Sequence, residues 1–254
     1  MSLIEVHGRG RPGQYQVVLG PLSPMEAIDQ LVFVHDTLKT VFASHGYFIT
    51  MLQTPVKYDE NGGENIVHLC QNIHLYLSEV SSDQEEKFFA GILNRLPALC
   101  AFCVPHEKYY ERIRELTDSP ADWGLPRRLM PMRKIKSCHW GIGCIDTTAN
   151  IYLTLAVILA AGCLGVSKSE PLVWPDFALH DNKDLPRKKR LPQHLEKALF
   201  ALESGSNDLT GDFTRHFMYG PMIDHYVKIK RHEISLFCDD ELYDEQRELL
   251  VMNL

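Results

Sequence analysis

The sequence has no surplus of positive charge. Its 26 Lys and Arg stand against 33 Asp and Glu, a formal net charge of -7 with a pI near 5.9. That excludes a nucleic-acid role resting on bulk electrostatics. It also lacks a hydrophobic run long enough to span a membrane. The longest, residues 151–166, falls short of the roughly 20 residues a spanning helix needs. That run has no basic flank and contains Thr154, Gly162 and Gly165, so a buried core helix is expected there. The 7 cysteines are odd in number and show no disulfide-framework spacing. With no signal-peptide pattern before them, a reducing, cytoplasmic setting is expected. Cys100 and Cys103 form a CxxC without a second pair at zinc-ribbon spacing, and this reads as coincidence rather than metal or redox chemistry. There is no internal repeat. What is present, 45% hydrophobic and 23% charged residues over 254 positions, suits a globular protein with ample core for one large domain or two small ones.

The most informative stretch is residues 139–166. Trp140, Ile142 and Cys144 alternate with Gly141, Gly143 and Ile145, a period of two that predicts a short strand over 139–145. Two glycines on one face of a core strand leave an open floor. Thr147 and Thr148 then offer a hydroxyl N-cap, and from Ala149 the chain is apolar on all sides, which predicts a buried helix.

Elsewhere the punctuation is local. Residues 14–19 read as a strand. Ser23-Pro24-Met25-Glu26 is a capping box with proline at the first helical position. It predicts a helix to about Ser44, with Ile28, Leu31, Leu38 and Phe42 on one side, His35 at its boundary and Gly46 as the stop. Residues 47–54 and 66–73 read as strands. Residues 82–102 read as a helix with Asp83, Glu85 and Glu86 in its first turn, kinked or interrupted at Pro97. Residues 193–203 are amphipathic through Leu195, Leu199 and Leu202, and 221–237 and 240–252 read as helices. The run Arg187-Lys188-Lys189-Arg190 reads as a solvated loop, with a nuclear signal as the alternative.

The segment HWGIGCIDTTANIYL resembles the strand and core helix of the C-terminal catalytic domain of glutamine synthetases, where the strand reads HWE-I-R-C. The resemblance extends, in order, to GRGRPGQYQVVLGPLSPMEAIDQL, LPALCAF, LPQHLEKALFALES and HYVKIKRHEISLF. Its nearest flavour is the fungal glutamine-synthetase-like type. It implies an α+β fold: a partial glutamine synthetase catalytic domain over residues 1–254, with an antiparallel-rich curved sheet backed by helices. The β-grasp domain that precedes this part of the fold in the family is expected to be absent. An unpaired sheet edge is then expected near residues 14–19.

The resemblance further implies the family of ATP-dependent glutamate–ammonia ligases, which use Mg2+ or Mn2+ with ATP as substrate. Phosphoryl transfer to a carboxylate needs divalent cations held by clustered carboxylates, and arginines that grip anionic oxygens. Matched residue by residue, the family's metal ligands fall on Arg9, Gln16, Ile66 and Gly141, and its substrate arginine on Gly143. His68, Arg112, Arg128 and Arg133 match remnant substrate- and phosphate-binding positions, expected to converge on one pocket. Exchanging three glutamates for Arg9, Gln16 and Gly141 takes the local charge from -3 to +1. Each lost contact with a cation forfeits roughly 4 kcal/mol per unit-charge pair at 4 Å and an effective dielectric near 20. The expectation is a catalytically degenerate site with no cofactor, suited to an anion or nucleotide. The alternatives are an active carboxylate–amine ligase and a non-catalytic interaction module on a full-length homologue. A homo-oligomer or such an association is the expected partnership, with neither nucleic acid nor membrane.

Overall fold

A computed structural model describes residues 3–8, 15–51, 71–107, 109–110, 131–173, 191–204 and 220–236. The described elements divide between two compact units. The first holds an antiparallel ribbon, β1 (Leu3–Gly8) with β2 (Tyr15–Leu19), and helix α1 (Pro24–Ser44). β1 was not predicted. It pairs β2 along one edge, with Val6 opposite Val17 and His7 opposite Gln16.

Helix α1 begins as its capping box predicts: the Ser23 N–H and hydroxyl both donate to Glu26 Oε2, at 3.3 and 2.5 Å. Ile28 is buried and Leu31 and Leu38 are half-buried; Val34 joins them inside, whereas Phe42 is exposed. His35 is half-buried, and burial and the charge of Lys39 hold its imidazole below the ordinary value. The helix closes in a Schellman motif. Gly46 takes a φ of 76°, its N–H donates to Ala43 O, and the Tyr47 N–H donates to Phe42 O. The Tyr47 ring then meets the Phe42 ring edge-on at 6.4 Å. This is why the strand predicted from residue 47 does not form over 47–51: the first amide terminates the helix instead of entering a ladder.

The second unit is built on helix α2 (Ser82–Cys103), capped by Ser81, whose hydroxyl accepts the Gln84 N–H at 3.2 Å. The helix continues without interruption through Pro97. Proline inside a helix costs about 3 kcal/mol, and here the turns around it are buried almost all round. Two further helices, α3 (Ile151–Ser167) and α4 (Leu195–Glu203), pack on α2. The α2–α3 crossing brings backbones into contact at Gly91 and Gly165. A Cβ on Gly91 would strike Ala161 O and the Gly165 backbone, and one on Gly165 would strike Lys87 O. Buried Arg95 then spans the two segments, donating to both oxygens of Glu170 at 2.8 and 2.6 Å. As predicted, α3 is a mostly buried core helix. Its cap, however, is Asn150, whose Oδ1 accepts the Leu153 N–H at 3.2 Å. Thr147 and Thr148 instead form the turn before it, where the Thr148 N–H donates to Asp146 Oδ1. Leu195, Leu199 and Leu202 are all buried, as their spacing predicts. Helix α5 (Gly220–Leu236) joins through Tyr226, stacked on Phe102 at 4.6 Å, and through Arg231, paired with Glu196 and Glu203 of α4.

In front of α2 lies a three-stranded antiparallel sheet in the order β3 (Gln71–Tyr76), β5 (His139–Ile145), β4 (Met132–Lys136). Strand β5 has the bounds its alternation predicts; of the strand expected over 66–73, residues 66–70 lie outside the described residues, and 71–73 belong to β3, which runs on to Tyr76. Among the described residues no helix is long and apolar enough to cross a membrane.

Candidate functional site

Strand alternation divides β5 between two environments. Trp140 and Ile142 face the helices, where the Trp140 ring stacks on Phe89 at 4.2 Å. Its indole N–H donates to buried Glu85 of α2 at 2.7 Å, and Lys134 pairs with the same carboxylate at 3.2 Å. His139, Gly141 and Gly143 therefore line the opposite face.

Cross-strand register sets the neighbours on that face. His74 of β3 lies opposite Gly141 on one side, and Arg133 of β4 opposite Gly141 on the other. One row thus reads His74, Gly141, Arg133. The next row joins Tyr76, His139 and Lys136. The His74 and His139 rings share a hydrogen bond between Nδ1 and Nε2 at 2.9 Å, and Tyr76 stacks on His139 at 4.0 Å and 20°. Burial, then the charge of Arg133, hold the His74 imidazole below its ordinary value. Burial, then His74, Lys136 and Arg133, do the same for His139. At neutral pH the pair is therefore uncharged, and the fixed charges in these two rows are the cations Arg133 and Lys136.

The nearest atoms a Cβ built on Gly141 would meet are Ile135 Cδ1 at 3.6 Å, His74 Nε2 at 3.7 Å and His74 Cδ2 at 3.9 Å, all ordinary contacts. Glycine is not required there by backbone or space. Gly141 itself is buried.

Of the residues singled out from sequence, Gly141, Gly143 and Arg133 share this sheet. Gln16 sits on β2 of the other unit, opposite His7. Arg9, Ile66, His68, Arg112 and Arg128 lie outside the described residues. The histidine placed against Gly141 is His74, which the sequence reading passed over. Its signal was the alternation of exposed Asn72, His74 and Tyr76 with half-buried Ile73, Leu75 and Leu77. The CxxC is inert packing: Cys100 and Cys103 are buried, and burial pushes both thiols well up. No group of three or more metal-ligating side chains occurs among the described residues.

The family model for the glutamine synthetase catalytic domain matches residues 1–247. The chain belongs to the glutamine synthetase family. Protein fluG of Emericella nidulans is 31% identical over 244 residues, which cover 92% of this chain and 26% of that protein. Gamma-glutamylpolyamine synthetase GlnA3 of Streptomyces coelicolor is 28% identical over 66% of this chain and 40% of its own length. A glutamine synthetase of Thermococcus kodakarensis is 28% identical over 70% of this chain and 44% of its own. The chain thus spans less than half the length of each of these relatives. A solved glutamine synthase homolog superposes with a TM-score of 0.71 at 24% identity, and apo GmaS with 0.74 at 19%. Each superposition covers 92% of this chain, so the α+β fold is that of the glutamine synthetase catalytic domain.

Proposed function

We propose that this chain is a glutamine-synthetase family member whose sheet face no longer performs metal-dependent phosphoryl transfer. The observation that carries the reading is the row His74, Gly141, Arg133. The family's chemistry places a hard divalent cation at carboxylate oxygens on this strand, and such cations take oxygen ligands in sets of about six. The donors available around Gly141 do not fit. Among the described residues, one His74 nitrogen is occupied by His139, the Tyr76 ring is stacked on His139, and the other side chains in the two rows are the Arg133 guanidinium and the Lys136 ammonium. Side chains directly opposite on neighbouring strands have Cβ atoms about 5 Å apart. A divalent ion at Gly141 would therefore sit beside Arg133 with no carboxylate to offset the repulsion among the described residues.

Gly143, at the position matched to the substrate arginine, removes a second element of the same chemistry. It retains only backbone, and its N–H donates to Pro131 O at 3.0 Å. The reading is tested by assaying the purified chain for ATP hydrolysis and γ-glutamyl transfer with Mg2+ or Mn2+. Background rates are expected with both metals. A cation-dependent rate lost on Arg133→Gln or His74→Ala would establish the active carboxylate–amine ligase instead.

A further inference from the structure

Helix α5 carries two stripes of the same spacing. Ile223, Val227, Lys230 and Ile234 step by four, three and four residues and form the inner one. Ile223 and Val227 are buried in the core and Ile234 packs against it. The Lys230 ammonium lies over the Tyr226 ring at 5.8 Å and pairs with Glu233 at 2.7 Å. Met222, His225, Ile229, His232 and Leu236 step by three, four, three and four residues and form the outer stripe. At about 100° per residue, the two stripes lie about 150° apart. All five outer residues are exposed, Met222 at 51%, Ile229 at 43% and Leu236 at 53%. A surface helix needs one apolar stripe to join its core. This one presents a second seam, of period 3.5, pointing away from that core.

We infer that the outer stripe of α5 docks against the same stripe of a second copy of this chain, the two helices lying parallel about a two-fold axis. The inference does not depend on the state of the sheet face. Charge selects the occupant. In a parallel pair, the residue just before a seam position reaches the residue five further along the other helix. Lys228 therefore meets Glu233 of the other copy, twice by symmetry. Lys228 forms no ion pair within the chain among the described residues. Glu233 meets Lys230 through Oε2 and has Oε1 to offer. Turned antiparallel, the same seam would set Lys228 beside Lys228. Arg231, also exposed, is committed to Glu196 and Glu203 of α4. Each seam histidine meets its own mate, donor to acceptor, so these polar layers fix the register at a cost in strength. Two heptads bury less than the roughly 1,200 Å² at which stable interfaces begin, so the dimer is weak and concentration-dependent.

Sedimentation velocity of the full chain from about 5 to 500 μM should show self-association with a Kd inside that range. Ile229→Asp sets two carboxylates against each other in the seam and should weaken it at least about tenfold. Lys228→Glu turns both flanking pairs repulsive and should weaken it about three- to tenfold. Replacing both His225 and His232 by Leu should strengthen it. All these positions are exposed, and circular dichroism checks that each variant folds. Orientation is read by mild oxidation. Met222→Cys and Leu236→Cys should each cross-link to themselves, above the level of the unmodified chain with its exposed Cys163. Cross-linking only in a mixture of those two variants overturns the parallel arrangement. A chain that stays monomeric throughout, or an assembly that neither Ile229→Asp nor Lys228→Glu weakens, overturns the docking surface.

Discussion

The Glu85 carboxylate, fully buried on α2, accepts the indole N–H of Trp140 at 2.7 Å from behind the sheet. That bond decides which way β5 faces. With Trp140 held toward the helices, Gly141 must look outward, between His74 and Arg133. Burial pushes the Glu85 carboxyl up, but hydrogen bonds from Trp140 and Lys134 outweigh it and hold the group below the ordinary carboxylate value. Its contribution to stability is therefore present above the ordinary value and lost as pH falls through the folded one.

Removing that acceptor should be costly. Glu85→Ala leaves a buried indole N–H and Lys134 without their partner and should destabilise by about 3 kcal/mol. Glu85→Gln, which keeps an acceptor, should cost about 1–2 kcal/mol. Urea denaturation followed by tryptophan fluorescence measures both. Equal, small losses would show that the contact does not organise the sheet.

The glycines divide into two kinds. Gly91→Ala drives a Cβ into the backbone of α3 and should cost about 2–3 kcal/mol or more, since the helices must part. Gly141→Ala meets only contacts of 3.6 Å and longer, and should change stability by no more than about 0.5 kcal/mol. Thermal melts of the two variants side by side test the contrast. A large loss at Gly141 would show that the space beside it cannot take a methyl group.

A third expectation concerns acid. Burial, followed by the charge of Lys230, lowers the His106 imidazole to about 4, with Glu233 opposing. The folded state then binds fewer protons than the unfolded chain between pH 6.5 and about 4, so stability falls as pH drops through that window. The full effect is on the order of 3 kcal/mol. His106→Asn should flatten this part of the stability profile in denaturation measured across pH. An unchanged slope would assign the acid sensitivity to other groups.

Much of this was legible in the sequence where the signal is local. The 139–145 strand follows from strict alternation, and α3 from an apolar run that no surface helix could carry. The start of α1 is written in four residues, Ser23 to Glu26. The capping of α3 was misread because three adjacent polar residues, Thr147, Thr148 and Asn150, compete for one role, and the choice depends on where the turn at Asp146 places the backbone. The site was harder. The family match runs through a segment with two histidines, His68 and His74, and only cross-strand register shows that His74 lies against Gly141. Register here relates His74 of β3 to Gly141 of β5, far apart in the chain, and period-two patterning on one strand does not contain it. Strand β1 escaped for a related reason: it is short, carries Glu5 and His7, and owes its conformation to pairing with β2.

The central claim is that the Gly141 face holds no divalent cation, and calorimetry with Mn2+ tests it most directly. The full chain, titrated at neutral pH without competing anions, should show no stoichiometric site tighter than about millimolar, because a guanidinium and two mutually hydrogen-bonded imidazoles stand where oxygen ligands are needed. Restoring one carboxylate by Gly141→Glu should not create such a site, since Arg133 remains opposite. A micromolar, one-to-one Mn2+ site in the unmodified chain, abolished by His74→Ala, would contradict the account.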